Sequence, residues 1–270
     1  VFNITTLGCS GGIGAMPDGH VRHTTSFLLG KRTLIDAGTG LTDLPLETLA
    51  GIDSVFLTHC HLDHVACLPM MVDSVGPMRD APITVYGLEE TLRDVQQHIF
   101  NWRIWPDFTE IPSRETPFMQ FVPIRVGEHL DIDGDAQIVA LPANHIVAAC
   151  GYAVVHEGRS WVFSGDTGFC PPFWNSLHDL PPRISLVIET AFSERERALA
   201  EASKHLSPNM LIQCLSEADA KLPIYVTHLK PSEGDQIMAD VALAAKTAGI
   251  TARIDRLAQG HVFELPGATS

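Results

Sequence analysis

Thr58, His59, Cys60, His61, Leu62, Asp63 and His64 form one unbroken run, directly after the apolar Val55, Phe56 and Leu57. Three imidazoles and one carboxylate thus fall between positions 59 and 64. Imidazole and carboxylate are donors that suit zinc and its first-row neighbours. No helical face gathers all four, because side chains at i, i+1 and i+2 point apart. A loop leaving a strand can gather them and divide them between two adjacent ions. Unperturbed histidine titrates near pH ~6.5, and such crowding gains nothing without a metal.

Two ions need more donors than this loop holds. His145 follows the apolar stretch 137–144, Asp166 follows the strand-like 160–163, and His228 ends the β-rich 224–227. All three stand at strand exits, where α/β proteins build their sites. The inventory then closes: His59, His61 and His145 on one ion, Asp63, His64 and His228 on the other, and Asp166 bridging them. Each ion keeps room for a shared water or hydroxide, and an open position marks a catalytic rather than a structural metal.

The order HxHxDH, then His145, Asp166 and His228, resembles the metallo-β-lactamase superfamily from Asn3 to about His261. That resemblance implies an α/β fold, an αββα sandwich of two mixed β-sheets flanked by helices, with a dinuclear site along one edge. Asp36, before Ala37 and Gly38, matches an early acidic residue of the superfamily that orients the histidine loop from behind its ligands.

Two more motifs narrow the chemistry. Glu189, Thr190, Ala191 and Phe192 follow the strand-like 184–188, and His205 leads into Leu206, Ser207 and Pro208. With the histidine run and the stretch 227–231, they resemble class II 3′,5′-cyclic-nucleotide phosphodiesterases. The resemblance implies hydrolysis of cyclic nucleotides to 5′-monophosphates by a metal-bridging hydroxide, with ions ~3.5–4 Å apart holding the phosphoryl oxygens. Asp63 is expected to orient the attacking water. His205 is expected to protonate the leaving alkoxide, with Glu189 fixing its ring. Zinc is the expected metal, with manganese or iron as alternatives. Two other readings are a tRNA 3′-processing endonuclease of the ribonuclease Z type and a thioester, lactone or β-lactam hydrolase.

The elements that must position these groups alternate along the chain. Strands are expected at 2–7, 26–29 and 33–36, and helices at 88–98, 195–203, 209–218 and 235–247, with Gly249 stopping the last. The length of 270 residues favours one domain, 1–270, with an aromatic-rich insert or lid around 99–122. A net charge of −14 argues against extended nucleic acid, which needs clustered Lys and Arg, and suits a small phosphodiester met by metal ions. The six cysteines lack CxxC spacing and are expected as free thiols, with Cys60 pointing away from the metals. No apolar run is long enough for a membrane span. Cytoplasmic location and a homodimer are the remaining expectations.

Overall fold

A computed structural model describes residues 1–16, 19, 21–215 and 222–267. Two seven-stranded sheets form the body of the molecule. The first runs in the order Val262–Leu265, Phe2–Gly8, Ser26–Leu29, Thr33–Ile35, Ser54–Phe56, Ile83–Leu88, Met119–Ile124. The second runs Ile254–Arg256, Ile224–Thr227, Arg183–Glu189, Arg159–Phe163, Cys150–His156, Ala136–Pro142, His129–Ile132. Each sheet is antiparallel on one side and parallel on the other.

The sheets share an inner core. Phe27 packs against Trp161 and Phe163, and Phe56 against Tyr152. Outer cores lie under the helices. Leu68, Met71, Val72 and Val75 of helix Leu68–Val75 cover the first sheet, and Leu211 and Ile212 of helix Pro208–Leu215 cover the second with Ile237 and Val241 of helix Gly234–Ala248. This is the expected αββα sandwich. The parallel strand Thr33–Ile35 is buried at every position, as a strand covered on both faces must be.

Strand and helix expectations are met with shifts of one or two residues at their ends. Gly249 closes helix Gly234–Ala248 in the left-handed conformation, φ 70°. The helix expected over 209–218 is seen as Pro208–Leu215, and 216–218 lie outside the described residues. The aromatics of 99–122 divide. Phe100 and Phe108 are buried in the core of the first sheet, Trp102 is exposed, and Phe121 sits in the edge strand Met119–Ile124. All six cysteines are free. Among the described residues no helix is long and apolar enough to cross a membrane.

What matters for the site is direction. Thr33–Ile35 and Ser54–Phe56 are parallel, as are Arg159–Phe163, Arg183–Glu189 and Ile224–Thr227. Ala136–Pro142 is reached through one antiparallel neighbour and so points the same way as Arg159–Phe163. The C-terminal ends of one sheet's carriers therefore share an edge. Cys150 N donates to Thr58 O (2.9 Å) and Tyr152 Oη to Leu57 O (2.8 Å), which ties the two sheets' edges together.

Candidate metal centre

Asp36 controls how the chain leaves strand Ser54–Phe56. It is fully buried and left-handed, φ 58°. Its carboxylate accepts from Thr58 N (2.8 Å) and Thr58 Oγ1 (2.8 Å), and stands 2.7 Å from His64 Nδ1. Ala37 N donates to His64 O (2.7 Å), and Cys67 N donates to Ala37 O (2.9 Å). Both ends of the histidine loop are thus fastened to one corner. Between them the short helix Leu62–Val65 turns Asp63 and His64 inward. Cys60 faces away, its Sγ 3.9 Å from Asp94 Oδ2.

The seven expected donors come together in two groups. His59, His61 and His145 lie with donor atoms within 4.8 Å of one another, and so do Asp63, His64, Asp166 and His228. Asp166 stands between them. Its Oδ2 is 3.7 Å from His59 Nε2 and 3.5 Å from His64 Nε2, and its Oδ1 is 3.3 Å from His228 Nδ1. Asp63 Oδ2 is 3.8 Å from His64 Nε2 and 3.6 Å from His228 Nε2. Backbone geometry brings Asp166 here. Gly165 has φ 61°, and a Cβ on it would sit 2.6 Å from Cys150 O. His228 is itself left-handed, φ 60°, and a Cβ on Gly11 would meet its carbonyl at 2.6 Å. Such conformations in non-glycine residues collect at functional sites.

The donor set fits divalent metal on three grounds. First, His59 Nε2, His64 Nε2 and His228 Nδ1 are buried with no hydrogen-bond partner, which a native interior avoids unless something else engages the lone pairs. Second, burial pushes the His59, His61 and His228 rings below the ordinary imidazole value, and His145 down to about 4, so these rings are neutral as ligands must be. Third, burial would raise Asp166 and Asp63, but the neighbouring His228 and His64 outweigh it and hold both carboxyls down as anions. His64 is raised well above the ordinary value: burial lowers it, but Asp166 and Asp36 together prevail. Burial raises Asp36 against the opposing pull of His64.

Glu189 and His205 join the same site. Glu189 ends strand Arg183–Glu189 and is fully buried. Its carboxylate accepts from Thr167 N (3.0 Å), Ala191 N (3.2 Å) and Leu206 N (3.3 Å), and lies 2.7 Å from His205 Nδ1. It therefore fastens the Asp166 loop and the His205 loop to one strand end. His205 falls with His145 and Asp166 in a third group whose donor atoms lie within 4.8 Å. Burial lowers its pKa, but Glu189 outweighs this and leaves it raised.

Two residues have roles that the sequence did not assign to them. Thr58, besides bonding Asp36, lies 3.0 Å from His59 Nδ1 and so turns Nε2 inward. Lys204 holds His145 from two sides: its carbonyl faces His145 Nδ1 at 3.1 Å, and its Nζ donates to His145 O at 3.0 Å. Lys204 is left-handed, φ 54°, at the end of helix Arg197–Ser203. Sequence carries no signal for this, because glycine or asparagine is the usual residue there. Helix Pro208–Leu215 is capped by a residue distant in sequence. Ser207 Oγ donates to Glu194, whose carboxylate also receives Asn209 N (2.9 Å), so Glu194 does the capping.

The fold and the clustered His and Asp donors define a class, and comparison agrees. The family pattern described as "Beta-lactamase superfamily domain" matches residues 31–229. The chain belongs to that superfamily, among the metallo-β-lactamase-fold hydrolases. It is 24% identical over 285 residues to the probable 3′,5′-cyclic-nucleotide phosphodiesterase of Yersinia pestis, covering 86% of this chain and 79% of the relative. It is 30% identical over 159 residues to ribonuclease Z of Clostridium beijerinckii, covering 56% of this chain and 48% of the relative. The fold superimposes on unliganded yeast PDE1 with a TM-score of 0.78 at 18% identity, covering 98% and 99% of the two chains.

Proposed function

We propose that this protein is a dinuclear metal-dependent phosphodiesterase that hydrolyses 3′,5′-cyclic nucleotides to nucleoside 5′-monophosphates. The observation that carries the reading is His205 Nδ1 set 2.7 Å from the buried Glu189, with the ring beside His145 and Asp166. A β-lactam or thioester hydrolase gives this pair no task, whereas a phosphodiester with a poor alkoxide leaving group needs a placed acid.

His59, His61 and His145 would hold one ion, and Asp63, His64 and His228 the other, with Asp166 shared. Two divalent ions there would supply Lewis acidity toward the phosphoryl oxygens and would lower the pKa of a water toward neutrality, with zinc the first choice. The side-chain work is then divided. Asp63, half-buried, accepts a hydrogen bond from the attacking water and aligns it. Glu189 holds the His205 Nδ1–H, which leaves Nε2 to carry the proton given to the departing O3′ as the P–O3′ bond breaks. Phe192, 5.5 Å from the His205 ring, walls that side.

The test is incubation of metal-analysed protein with 3′,5′-cyclic AMP and with bis-p-nitrophenyl phosphate. Release of 5′-AMP, lost with chelator and restored by metal, is the expected result. Cleavage of the synthetic diester alone removes the cyclic-nucleotide assignment. The ribonuclease Z resemblance makes precursor tRNA the second substrate, but the net charge of −14 opposes it.

A further inference from the structure

A cavity of about 380 Å³ opens beside the His228 turn, with Cys9, Arg22, Leu229, Lys230, Asp235 and Arg256 in its wall. The chain is strongly acidic, yet three of its 18 basic side chains border this one cavity. Among the described residues, Asp235 is the one carboxylate in its lining. It pairs with Arg256 Nη2 at 2.7 Å, but its side chain is 98% exposed. A pair in open water is screened and readily exchanged for a better-placed anion.

Lys230 belongs to both places. Its Nζ donates to Gly11 O (3.0 Å) and stands 5.8 Å over the Phe192 ring, which in turn packs beside His205. A single carbonyl takes one of three ammonium protons. Arg22 and Arg256 converge on the same wall. The Cys9 thiol is pushed up to about 12 by burial, while both guanidiniums pull it the other way. The first turn of helix Gly234–Ala248 also lines the cavity and adds the positive end of its dipole.

We propose that this cavity binds a phosphate group carried away from the scissile ester, so that a phosphodiester bearing a second phosphate is bound more tightly than the same diester, or a cyclic nucleotide, without one. This rests on the phosphodiesterase chemistry of the site and goes beyond its cyclic-nucleotide assignment. The metal donors meet one phosphate. A second would be repelled by a protein of this charge unless local cations met it, and guanidinium forks match phosphate oxygens in pairs. Free phosphate acting as a regulator shares the same chemistry and is separated by the test.

The first arm titrates inorganic phosphate by calorimetry into the full chain stripped of metal, where the metal centre cannot capture the anion. Wild type and Arg256→Lys should bind, and the Arg22→Gln, Arg256→Gln double variant should bind at least about tenfold more weakly. Absence of binding to wild type, or equal binding by the double variant with an unchanged melting temperature, overturns the site. The second arm uses metal-loaded enzyme and thymidine 5′-(p-nitrophenyl phosphate) with and without a 3′-phosphate. The added phosphate should lower KM about tenfold in wild type but not in the double variant, with bis-p-nitrophenyl phosphate turnover unchanged. Phosphate binding without that KM gain overturns the substrate-borne assignment and marks a separate anion ligand. Loss of all ester turnover would instead refute the phosphodiesterase reading, leaving the calorimetry to decide the anion site.

Discussion

His64 Nδ1 lies 2.7 Å from Asp36 Oδ2, with both side chains fully buried. The same carboxylate holds Thr58, at the other end of the histidine loop. One residue therefore aims His64 Nε2 into the site and closes the loop that carries His59 and His61. Asp36→Asn separates charge from conformation, because asparagine tolerates the left-handed φ of 58°. We expect folded protein with metal affinity lowered ~10–100-fold, measured by chelator competition. Asp36→Val adds backbone strain and should lower the melting temperature as well. Unchanged affinity in Asp36→Asn would remove the positioning role.

Asp166 stands between the two donor groups, so its loss should reach both. In wild type, metal at ~100 times its Kd should stabilise the fold by about 2.7 kcal/mol. Asp166→Asn should lose most of that gain and all hydrolysis, while keeping native circular dichroism. Melting curves with and without metal read this directly. A full metal-induced shift in the variant would show that Asp166 is no ligand.

His205 and Glu189 separate by leaving group. His205→Ala should slow diesters with alkoxide leaving groups by ~10²–10⁴-fold and p-nitrophenyl diesters far less, since p-nitrophenolate needs no proton. Glu189→Gln should act in the same direction and additionally loosen the Asp166 loop, because it weakens the acceptor of Thr167 N. Steady-state kinetics on matched esters decide it, and equal losses on both ester types would deny His205 the acid role.

Asp53 offers a pH-dependent prediction outside the site. It precedes strand Ser54–Phe56, which feeds the histidine loop, and pairs with Arg32 and with Arg79 Nη2 at 2.7 Å. Burial would raise its carboxyl, but hydrogen bonds from Arg79 and Arg32 prevail and hold it below the ordinary value. A depressed folded pKa stabilises fully above the unfolded value, near pH ~4, and is lost as pH falls through the folded value. Asp53→Asn should therefore melt below wild type at pH 7, with the gap closing in acid. A gap that persists at pH 2–3 would contradict the charge-based origin.

Much of the site was legible because its chemistry is local in sequence. Three histidines and an aspartate in one loop, and three more donors each at a strand exit, announce metal before any fold is known. Helix and strand positions were readable to within a few residues, and Gly249 was readable as the stop of the last helix. Less legible were features set by backbone conformation and distant partners. The left-handed Lys204 that clamps His145, the Glu194 cap on helix Pro208–Leu215, and the split of 99–122 between core and surface have no local signature. Each depends on what lies across the interface, which periodicity does not encode.

The sequence by itself determined which donor types this chain offers and that they stand at strand ends, since those are properties of residue identity and spacing. Only the tertiary structure decided that Glu189 ties His205 to the Asp166 loop, that the Lys204 carbonyl and ammonium clamp His145, and that three cations border one cavity next to His228. These relations join residues far apart in the chain. They arise because parallel strands deliver their ends to one edge, and because buried carboxylates must find their donors wherever the packed sheets bring them.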